Sequence, residues 1–324
     1  MIFLICIEIV LKLTFKSPNL TAMNIQSLFK SKSLTPSWSF SAEHTLWRIL
    51  FSDTGFIVGE DRDAETKKVS FFCVNGATGD VLWQNLTFAD EWWIGIEAIV
   101  GDKVFFHGYA QPDSPRRKRI IAVDLGTGKQ LWENKQYALF SVRAPYVYGY
   151  RDMFEKRLFY KLEEKTGAFV EELHSVTEEM NAGRETMFGK TDFLFPQLLT
   201  DDVLEKKQIE TMIAKHSHAV RGVKDGAEGD SVKRHSRSMA IQSVEFARAN
   251  GKLIYNIHSI QSTYSDGKVV LQNALSIIDE QSEKQIYFDI LNSETPYPVP
   301  DSFFVDNNFL YYIKEKKTLI AVII

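Results

Sequence analysis

Two histidines one residue apart form the first pattern in this sequence that could bind a metal. His216 and His218 stand in the stretch KHSHAVRG, and His235 follows as a possible third ligand. Side chains two positions apart lie on the same side of an extended chain, so the pair could share one ion. However, no cysteine or carboxylate stands at the spacing of familiar zinc sites. We therefore expect a solvated insertion here and no bound metal.

The acidic stretch DRDAETKK resembles the start of a calcium-binding loop. Asp61, Asp63 and Glu65 alternate along it. A calcium loop of this type needs glycine at its sixth position and an acidic residue at its twelfth. Those positions hold Thr66 and Phe72. We therefore expect a charged hairpin loop.

A compact basic run, PRRKR at 115–119, could contact a phosphate or an acidic partner. The chain as a whole carries a net charge of −4 and has a pI near 6.0. Such a balance gives no general attraction to nucleic acid or to anionic membranes. We therefore expect a solvated loop, and no nucleic-acid partner.

The strongest candidate for a functional surface is aromatic. Trp92 and Trp93 stand side by side in DEWWIGIE, and His107 and Tyr109 lie on the hairpin that follows. In a strand, neighbouring side chains face opposite ways. One tryptophan would then pack between sheets, while the other either packs as well or lines a ligand or partner surface with His107 and Tyr109.

The usual signatures of catalysis do not occur in the sequence. It has no Gly-x-Ser-x-Gly, P-loop, Gly-x-Gly-x-x-Gly or Cys-x-x-Cys motif, and its two cysteines, Cys6 and Cys73, make no disulfide framework. A catalytic triad can assemble from distant residues, so catalysis stays open. We expect a protein that is not an enzyme and that has no cofactor or metal.

The elements that must position these residues repeat along the chain. VNGATGDVLWQNL at 74–86 and AVDLGTGKQLWENK at 122–135 match in register, and their tryptophans, Trp83 and Trp132, are 49 residues apart (132 − 83). The matched residues of the two copies are Thr78, Gly79 and Trp83, then Asp124, Thr127, Gly128 and Trp132. Pairs of apolar runs joined by Asp, Asn or Gly turns predict hairpins at 48–60, 98–109, 141–150, 244–257 and 303–313. Four antiparallel strands that recur every 40 to 50 residues predict the blades of a β-propeller.

The position of the repeated tryptophan gives the blade count. Trp38 in TPSWSFS is a lone copy of the fourth strand, whereas the last segment of the chain, 301–324, ends after a third strand. We therefore predict that the N-terminal strand completes the last blade and closes the ring. Tyr287 takes the tryptophan position in a late copy, and the spacing predicts six blades, with five or seven as alternatives. We expect the propeller to span 31–324, with an insertion near 198–238 that is helical over 198–218 and a mobile loop over 223–238.

The two clear copies resemble the repeat of quinoprotein-like propellers, which reads apolar-Ala-x-Asp-x-x-Thr-Gly-x-x-x-Trp. Asp124, Thr127, Gly128 and Trp132 match it in one copy, whereas the other has Asn75 in place of the aspartate. The chain as a whole also resembles an uncharacterised bacterial propeller family without an assigned activity. Quinoprotein dehydrogenases use eight blades, a calcium ion beside the quinone and a disulfide of adjacent cysteines. This chain has no adjacent cysteines and is too short for eight such blades, so the resemblance implies a fold and no reaction.

These patterns together predict a non-catalytic propeller scaffold that binds another protein and acts as a monomer. The alternative is a small-molecule-binding sensor or enzyme that uses the central channel. Residues 1–30 are expected to be a leader outside the fold. Glu8 and Lys12 interrupt its apolar run, which is short for a membrane span and poor as an export signal. We expect a cytoplasmic protein whose translation starts at Met23. The alternative is an exported or membrane-associated protein that keeps residues 1–22.

The start site can be tested on protein isolated from its native cell. If translation begins at Met23, mass spectrometry of the intact protein will show a chain that lacks residues 1–22. A tryptic peptide from within residues 1–22 would contradict this prediction.

Overall fold

The described residues form five antiparallel sheets that are arranged like the blades of a propeller. A computed structural model describes residues 33–89, 92–109, 117–154, 156–187, 192–216, 241–263 and 268–324. Blade I contains β1 (Trp38–Ser41), β19 (Phe303–Asp306), β20 (Phe309–Lys314) and β21 (Thr318–Ile323). Blade II contains β2 (Thr45–Phe51), β3 (Phe56–Asp63), β4 (Lys68–Asn75) and β5 (Val81–Leu86). Blade III contains β6 (Ile94–Val100), β7 (Lys103–Tyr109), β8 (Arg117–Asp124) and β9 (Gln130–Asn134).

The other two blades follow along the chain, together with two short helices among the described residues. Blade IV contains β10 (Ala138–Arg143), β11 (Tyr146–Met153), β12 (Lys156–Glu163) and β13 (Phe169–Leu173). Blade V contains β14 (Gln197–Leu198), β15 (Ile241–Ala249), β16 (Lys252–Thr263), β17 (Val269–Asp279) and β18 (Lys284–Thr295). The helices are α1 (Glu178–Thr186) and α2 (Lys206–His216). Neither helix is long and apolar enough to cross a membrane; this statement covers the described ranges only.

The N-terminal strand completes the last blade, as predicted. Strand β1 pairs antiparallel with β21, with Trp38 opposite Ala321 and Ser41 opposite Thr318. The five predicted hairpins also form, as β2–β3, β6–β7, β10–β11, β15–β16 and β19–β20.

The described residues contain five blades, one fewer than the expected six and within the predicted range. The spacing leaves room for a further blade that begins at 186–197, but the described part of that stretch makes no sheet of its own. Leu194 forms a single bridge with Val305, and Gln197–Leu198 adds a short fifth strand to the edge of blade V. Helix α2 lies inside the predicted insertion, whereas α1 was not predicted. The predicted loop at 223–238 and the leader at 1–30 lie outside the described residues.

The repeated Thr-Gly sequence forms a tight turn between the third and fourth strands. Asp124 Oδ1 accepts hydrogen bonds from the backbone N–H of Thr127 (2.8 Å) and from its hydroxyl (2.6 Å). Gly128 then adopts a φ of +69°, which L-residues rarely take. In blade II, Asn75 Oδ1 likewise accepts from the backbone N–H of Thr78 (3.1 Å). Aspartate and asparagine can therefore both stabilise this turn through the same side-chain oxygen.

A tryptophan from each preceding blade packs on this turn. Trp38, Trp83 and Trp132 donate from Nε1 to the backbone oxygens of Gly76, Leu125 and Glu164, at 3.0, 2.8 and 2.8 Å. In each case the indole ring lies against the glycine of the turn in the next blade. A Cβ placed on Gly79, Gly128 or Gly167 would come within 2.4 to 2.8 Å of the indole atoms. The glycine is therefore required twice, by its backbone angle and by the ring above it.

Blades IV and V depart from this pattern. Glu171 takes the tryptophan position in blade IV, where its carboxylate is exposed and lies 3.1 Å from Lys161 Nζ. Tyr287 takes that position in blade V, and its hydroxyl lies 2.6 Å from the Tyr312 hydroxyl of blade I.

Buried apolar clusters join successive blades. Such clusters span blades I and II, II and III, III and IV, and V and I. None of these clusters of described residues joins blade IV to blade V. Instead, α1 packs against β10 of blade IV, and α2 packs on the outer face of blade V through Ile209, Met212 and Ile213. The two helices therefore cover blade faces that no neighbouring sheet covers among the described residues.

A β-bulge occurs in the first strand of blades II, III and IV and in β15, the second strand of blade V. The extra residues are Trp47 in β2, Glu97 in β6, Phe140 in β10 and Gln242 in β15. A bulge turns a side chain away from the regular alternation and often does so beside functional sites. The four bulges therefore give each of these blades one redirected side chain at an equivalent place.

The contact between tryptophan and glycine can be isolated with two glycine variants. Gly128 and Gly251 have nearly the same φ, +69° and +70°, but nothing lies within 4 Å of a Cβ on Gly251. Gly251→Ala should cost about 1 to 2 kcal/mol of unfolding free energy from backbone strain. Gly128→Ala should cost about 1 to 3 kcal/mol more, because the methyl group must displace Trp83. Urea unfolding measures both values, and equal losses would show that the indole contact tolerates a methyl group.

Candidate functional site

Three of the four residues in the predicted aromatic surface lie together. The rings of Trp93 and Tyr109 are 6.1 Å apart between centroids, and those of His107 and Tyr109 are 5.0 Å apart. Trp92 lies elsewhere, with its ring beneath Arg62 (5.1 Å) and Lys67 (5.0 Å) of blade II. Both tryptophans precede β6, so they do not alternate across a strand as expected.

A buried carboxylate and imidazole pair lies behind this surface. His107 Nδ1 is 2.7 Å from Glu97 Oε2, and both side chains are about 4% exposed. Arg117 contacts the other oxygen of Glu97. The bulge in β6 places Glu97 here, because a regular strand would alternate its side chain to another position.

A second buried carboxylate joins blade II to blade III. Glu60 Oε1 accepts from the backbone N–H of Ile96 at 2.7 Å, and its Oε2 is 2.8 Å from the Arg62 guanidinium. Arg62 in turn donates to the backbone oxygens of Trp92 (3.0 Å) and Ile94 (2.5 Å). The hydrogen bonds and the ion pair of Glu60 and Arg62 engage their charged atoms in holding blade II to blade III. We therefore assign this cluster a structural role.

The other sequence candidates are engaged in local contacts. Asp61 accepts from the backbone N–H groups of Glu43 and His44 at 2.8 and 2.9 Å, and Asp63 binds the backbone of its own loop at Glu65 (2.9 Å). His216 Nε2 is 2.9 Å from the backbone oxygen of Glu283. His218 and His235 lie outside the described residues. Among the residues that are described, no three His, Cys, Asp or Glu side chains are grouped to hold a metal ion.

Part of the basic run lines a cavity between blades III and IV. This cavity measures about 520 Å³ and is lined by Arg117, Lys118, Lys135, Gln136, Ala138, Tyr150, Arg151 and Asp152. Two cations near it are paired with acids: Arg117 contacts Glu97, and Arg157, stacked over Tyr150 at 4.0 Å, binds Asp152 at 2.7 Å. The described part of the run, 117–119, therefore lies in a strand and lines a cavity instead of forming the expected loop.

The sequence did not predict a cleft between blade V and blades I and II. We call it the Asn273 cleft; its volume is about 490 Å³. Its lining residues are Thr45, Leu46, Trp47, Asn273, Leu291, Asn292, Val299, Asp301, Ser302, Phe304, Tyr312, Ile313 and Lys316. Apolar walls with a few convergent polar groups are the usual make-up of ligand sites.

His258 lies behind the floor of the Asn273 cleft and is fully buried. Its Nε2 accepts from the backbone N–H of Val299 (3.0 Å) and from Asn273 Nδ2 (3.3 Å). Because Nε2 accepts, the ring proton is on Nδ1, which lies 3.1 Å from Ser243 Oγ. Burial lowers the pKa of His258, while the carboxylate of Glu245 acts in the opposite direction. We conclude that the imidazole is neutral and holds one wall of the cleft.

Glu245 holds the other end of the same wall, the segment 299–302, which His258 holds at Val299. One carboxylate oxygen accepts from the backbone N–H of Asp301 at 2.9 Å, and the other accepts from the Ser302 hydroxyl at 2.6 Å. Asp301 has a φ of +51°, which is uncommon for a residue with a side chain. The segment 299–302 is therefore fixed against blade V by two buried side chains.

Two buried amides on the same face of blade V have atoms that lack a partner within the described residues. Asn273 is 0% exposed, and its Oδ1 meets no donor, while Asn256, equally buried, has no partner for either amide atom. Asn256 and His258 lie at alternate positions in the buried part of β16, and Asn273 lies opposite His258 in β17. Polar residues at alternate positions of a buried strand are the sequence signal that could have revealed this site.

The fold and these sites can now be set beside known proteins. A family model described as a domain of unknown function (DUF4905) matches residues 50–132. This stretch begins near the end of β2 in blade II and ends at Trp132 in β9 of blade III. No curated protein matches the chain. Two solved structures are similar at 8% identity: a crystal structure of the eukaryotic initiation factor (TM-score 0.30) and BBS1N in complex with ARL6DN, soaked with mercury (TM-score 0.24). The matches cover 76% and 85% of this chain, but only 55% and 64% of those chains.

The buried His258 gives the fold a pH dependence. Its pKa is lowered from the usual 6.5 in the folded chain, so the unfolded chain binds a proton that the folded chain does not. The free energy of unfolding should therefore fall as the pH drops below about 6.5. In His258→Gln, whose side-chain oxygen can still accept from Val299, this part of the fall should disappear. Urea unfolding at about pH 7.5 and pH 5.5 measures it, and an unchanged difference between the two pH values would contradict it.

Proposed function

We propose that the chain is a non-catalytic scaffold that binds another protein through an apolar patch on the connector between blades IV and V. The observation that carries this proposal is the exposure of three apolar side chains within five residues. Leu194, Phe195 and Leu198 are 42%, 48% and 53% exposed. We call these three residues the connector patch.

The connector patch is held in place at both ends. Leu194 exchanges two backbone hydrogen bonds of 2.9 Å with Val305 of blade I. Leu198 pairs with Glu245 in β15, and the backbone N–H of Leu199 donates to the oxygen of Val244 at 2.8 Å. A surface that is already ordered loses little conformational entropy when a partner binds, which favours recognition.

Aromatic packing beneath the connector patch adds to this order. The ring of Phe193 lies 5.0 Å from Phe51 of blade II and 5.1 Å from Phe304 of blade I, and Phe195 lies 5.8 Å from Phe304. Apolar side chains that are fixed from below and open above are suited to a partner that presents an apolar segment of its own. We therefore propose a protein partner with such a segment.

We also infer that the blades derive from a quinoprotein-like repeat. This proposal is supported by the Thr-Gly turns of blades II, III and IV and by the tryptophans that pack on them. We propose no cofactor, because the resemblance lies in residues that build the blades. We also propose that the protein is a monomer and that it is located in the cytoplasm.

The connector patch can be tested by comparing two double variants in the native cell extract. Leu194→Ser with Phe195→Ser removes the patch. Phe169→Ser with Val170→Ser changes a similarly exposed pair, 57% and 45% exposed, on the outer strand of blade IV. We expect the amount of the captured partner protein to fall at least tenfold with the connector-patch variant and to be unchanged with the blade IV variant. Quantitative mass spectrometry measures this, and equal capture by both variants would contradict the proposal.

A further inference from the structure

The floor of the Asn273 cleft presents a hydrogen-bond acceptor that has no donor. Asn273 Nδ2 lies 3.3 Å from His258 Nε2, which leaves Oδ1 directed away from the imidazole and unpartnered within the described residues. Buried polar atoms in folded proteins nearly always have a partner, in the protein, in water or in a ligand. A molecule that enters the cleft and offers an O–H or N–H donor would satisfy this oxygen.

Two acidic groups near the cleft, Glu245 and Asp289, already have partners. Glu245 accepts from the segment at 301–302, and Tyr312 donates its hydroxyl to Asp289 at 2.7 Å. The other oxygen of Asp289 binds Lys314 Nζ at 2.6 Å. Asp301 and Lys316 also line the cleft, but their opposite charges leave no net countercharge for a charged ligand group, whose loss of hydration would not be offset.

The rim of the cleft offers an apolar face. Trp47 is the bulged residue of β2, and it is 68% exposed although tryptophan is usually mostly buried. Its indole lines the cleft together with Phe304. An exposed indole next to buried amides suits a ligand that has one apolar face and several hydroxyl groups.

We propose that the Asn273 cleft binds an uncharged, hydroxyl-bearing ring compound of the size of a monosaccharide. The C–H face of the ring lies against Trp47, and a hydroxyl group donates to Asn273 Oδ1. Asn292 and Ser302 line the same cleft and offer further polar contacts. The volume of about 490 Å³ lies in the range of small-molecule sites. Phe304 lines this cleft and also packs against Phe195 of the connector patch, but the ligand proposal does not depend on the proposed protein partner.

Calorimetric titration of the full chain with glucose, N-acetylglucosamine and inositol tests the proposal. Glucose 6-phosphate and gluconate serve as charged counterparts. We expect at least one neutral probe to bind, and to bind at least tenfold more tightly than the charged probes. Trp47→Ala and Asn273→Leu should each weaken that binding at least tenfold.

Two matched variants control for indirect effects. Asn256→Leu replaces an equally buried asparagine on the same face of blade V that does not line the cleft, and Trp93→Ala removes a partly exposed tryptophan elsewhere. Both should leave binding within about twofold of the wild type. Trp47 lies at the surface, so its variant should fold even if Asn273→Leu does not.

Three results would overturn the proposal. Failure of every neutral probe to bind at tens of millimolar would mean that only water occupies the cleft. Equal binding of the charged probes would refute the proposed class of ligand. Unchanged binding by Trp47→Ala would refute the assignment of the binding site to the Asn273 cleft. A connector-patch variant that keeps probe binding but loses protein capture would show that the two sites are independent.

Discussion

The contact between an indole ring and the turn glycine of the next blade is the interaction on which the arrangement of blades I to IV depends. In each of these contacts the tryptophan also donates to a backbone oxygen of the next blade. One residue therefore fixes both the distance between two sheets and the direction of their approach. The buried clusters between blades add free energy, but apolar packing alone is not directional. This explains why the repeat keeps Thr-Gly and Trp while the strands between them vary.

The two buried polar regions lie at boundaries between blades. One adds to the tryptophan–glycine contact between blades II and III, and the other lies between blades V and I, where Tyr287 replaces the tryptophan. Between blades II and III, the side chains of Glu60 and Arg62 form hydrogen bonds with the backbone of Ile96 and Ile94 across the boundary. On the face of blade V that turns towards blade I, Glu245 and His258 hold the wall of a cleft. Buried groups of this kind stabilise one arrangement only when each finds its partner. Asn256 and Asn273 have atoms without a partner among the described residues, and of these two only Asn273 lines the cleft in which we propose a ligand.

The sequence was sufficient for the blades and insufficient for the sites. The Thr-Gly turns and the hairpin residues act locally, so the pattern predicted the strands and the pairing of β1 with the last blade. The described residues contain one blade fewer than six, because the described part of 186–197 pairs with blades I and V and forms no sheet of its own. The Asn273 cleft depends on residues brought together from β2, β17 and the segment at 299–302. Only the fold places them side by side; the buried polar residues of β16 and β17 are a local signal, but they do not show which residues form the other walls of the cleft.

The pairing of β1 with β21 has a consequence for biosynthesis. Ser41 and Thr318 are neighbours in blade I but lie 277 residues apart in the chain. At the usual speed of translation, about 5 to 20 residues per second, the first strand leaves the ribosome roughly 14 to 55 seconds before its partner. During that interval Trp38 can already pack against blade II, while the strand edge that awaits β21 stays open to other chains. Protection of that nascent edge, for instance by a chaperone, is therefore a condition for making this fold in quantity.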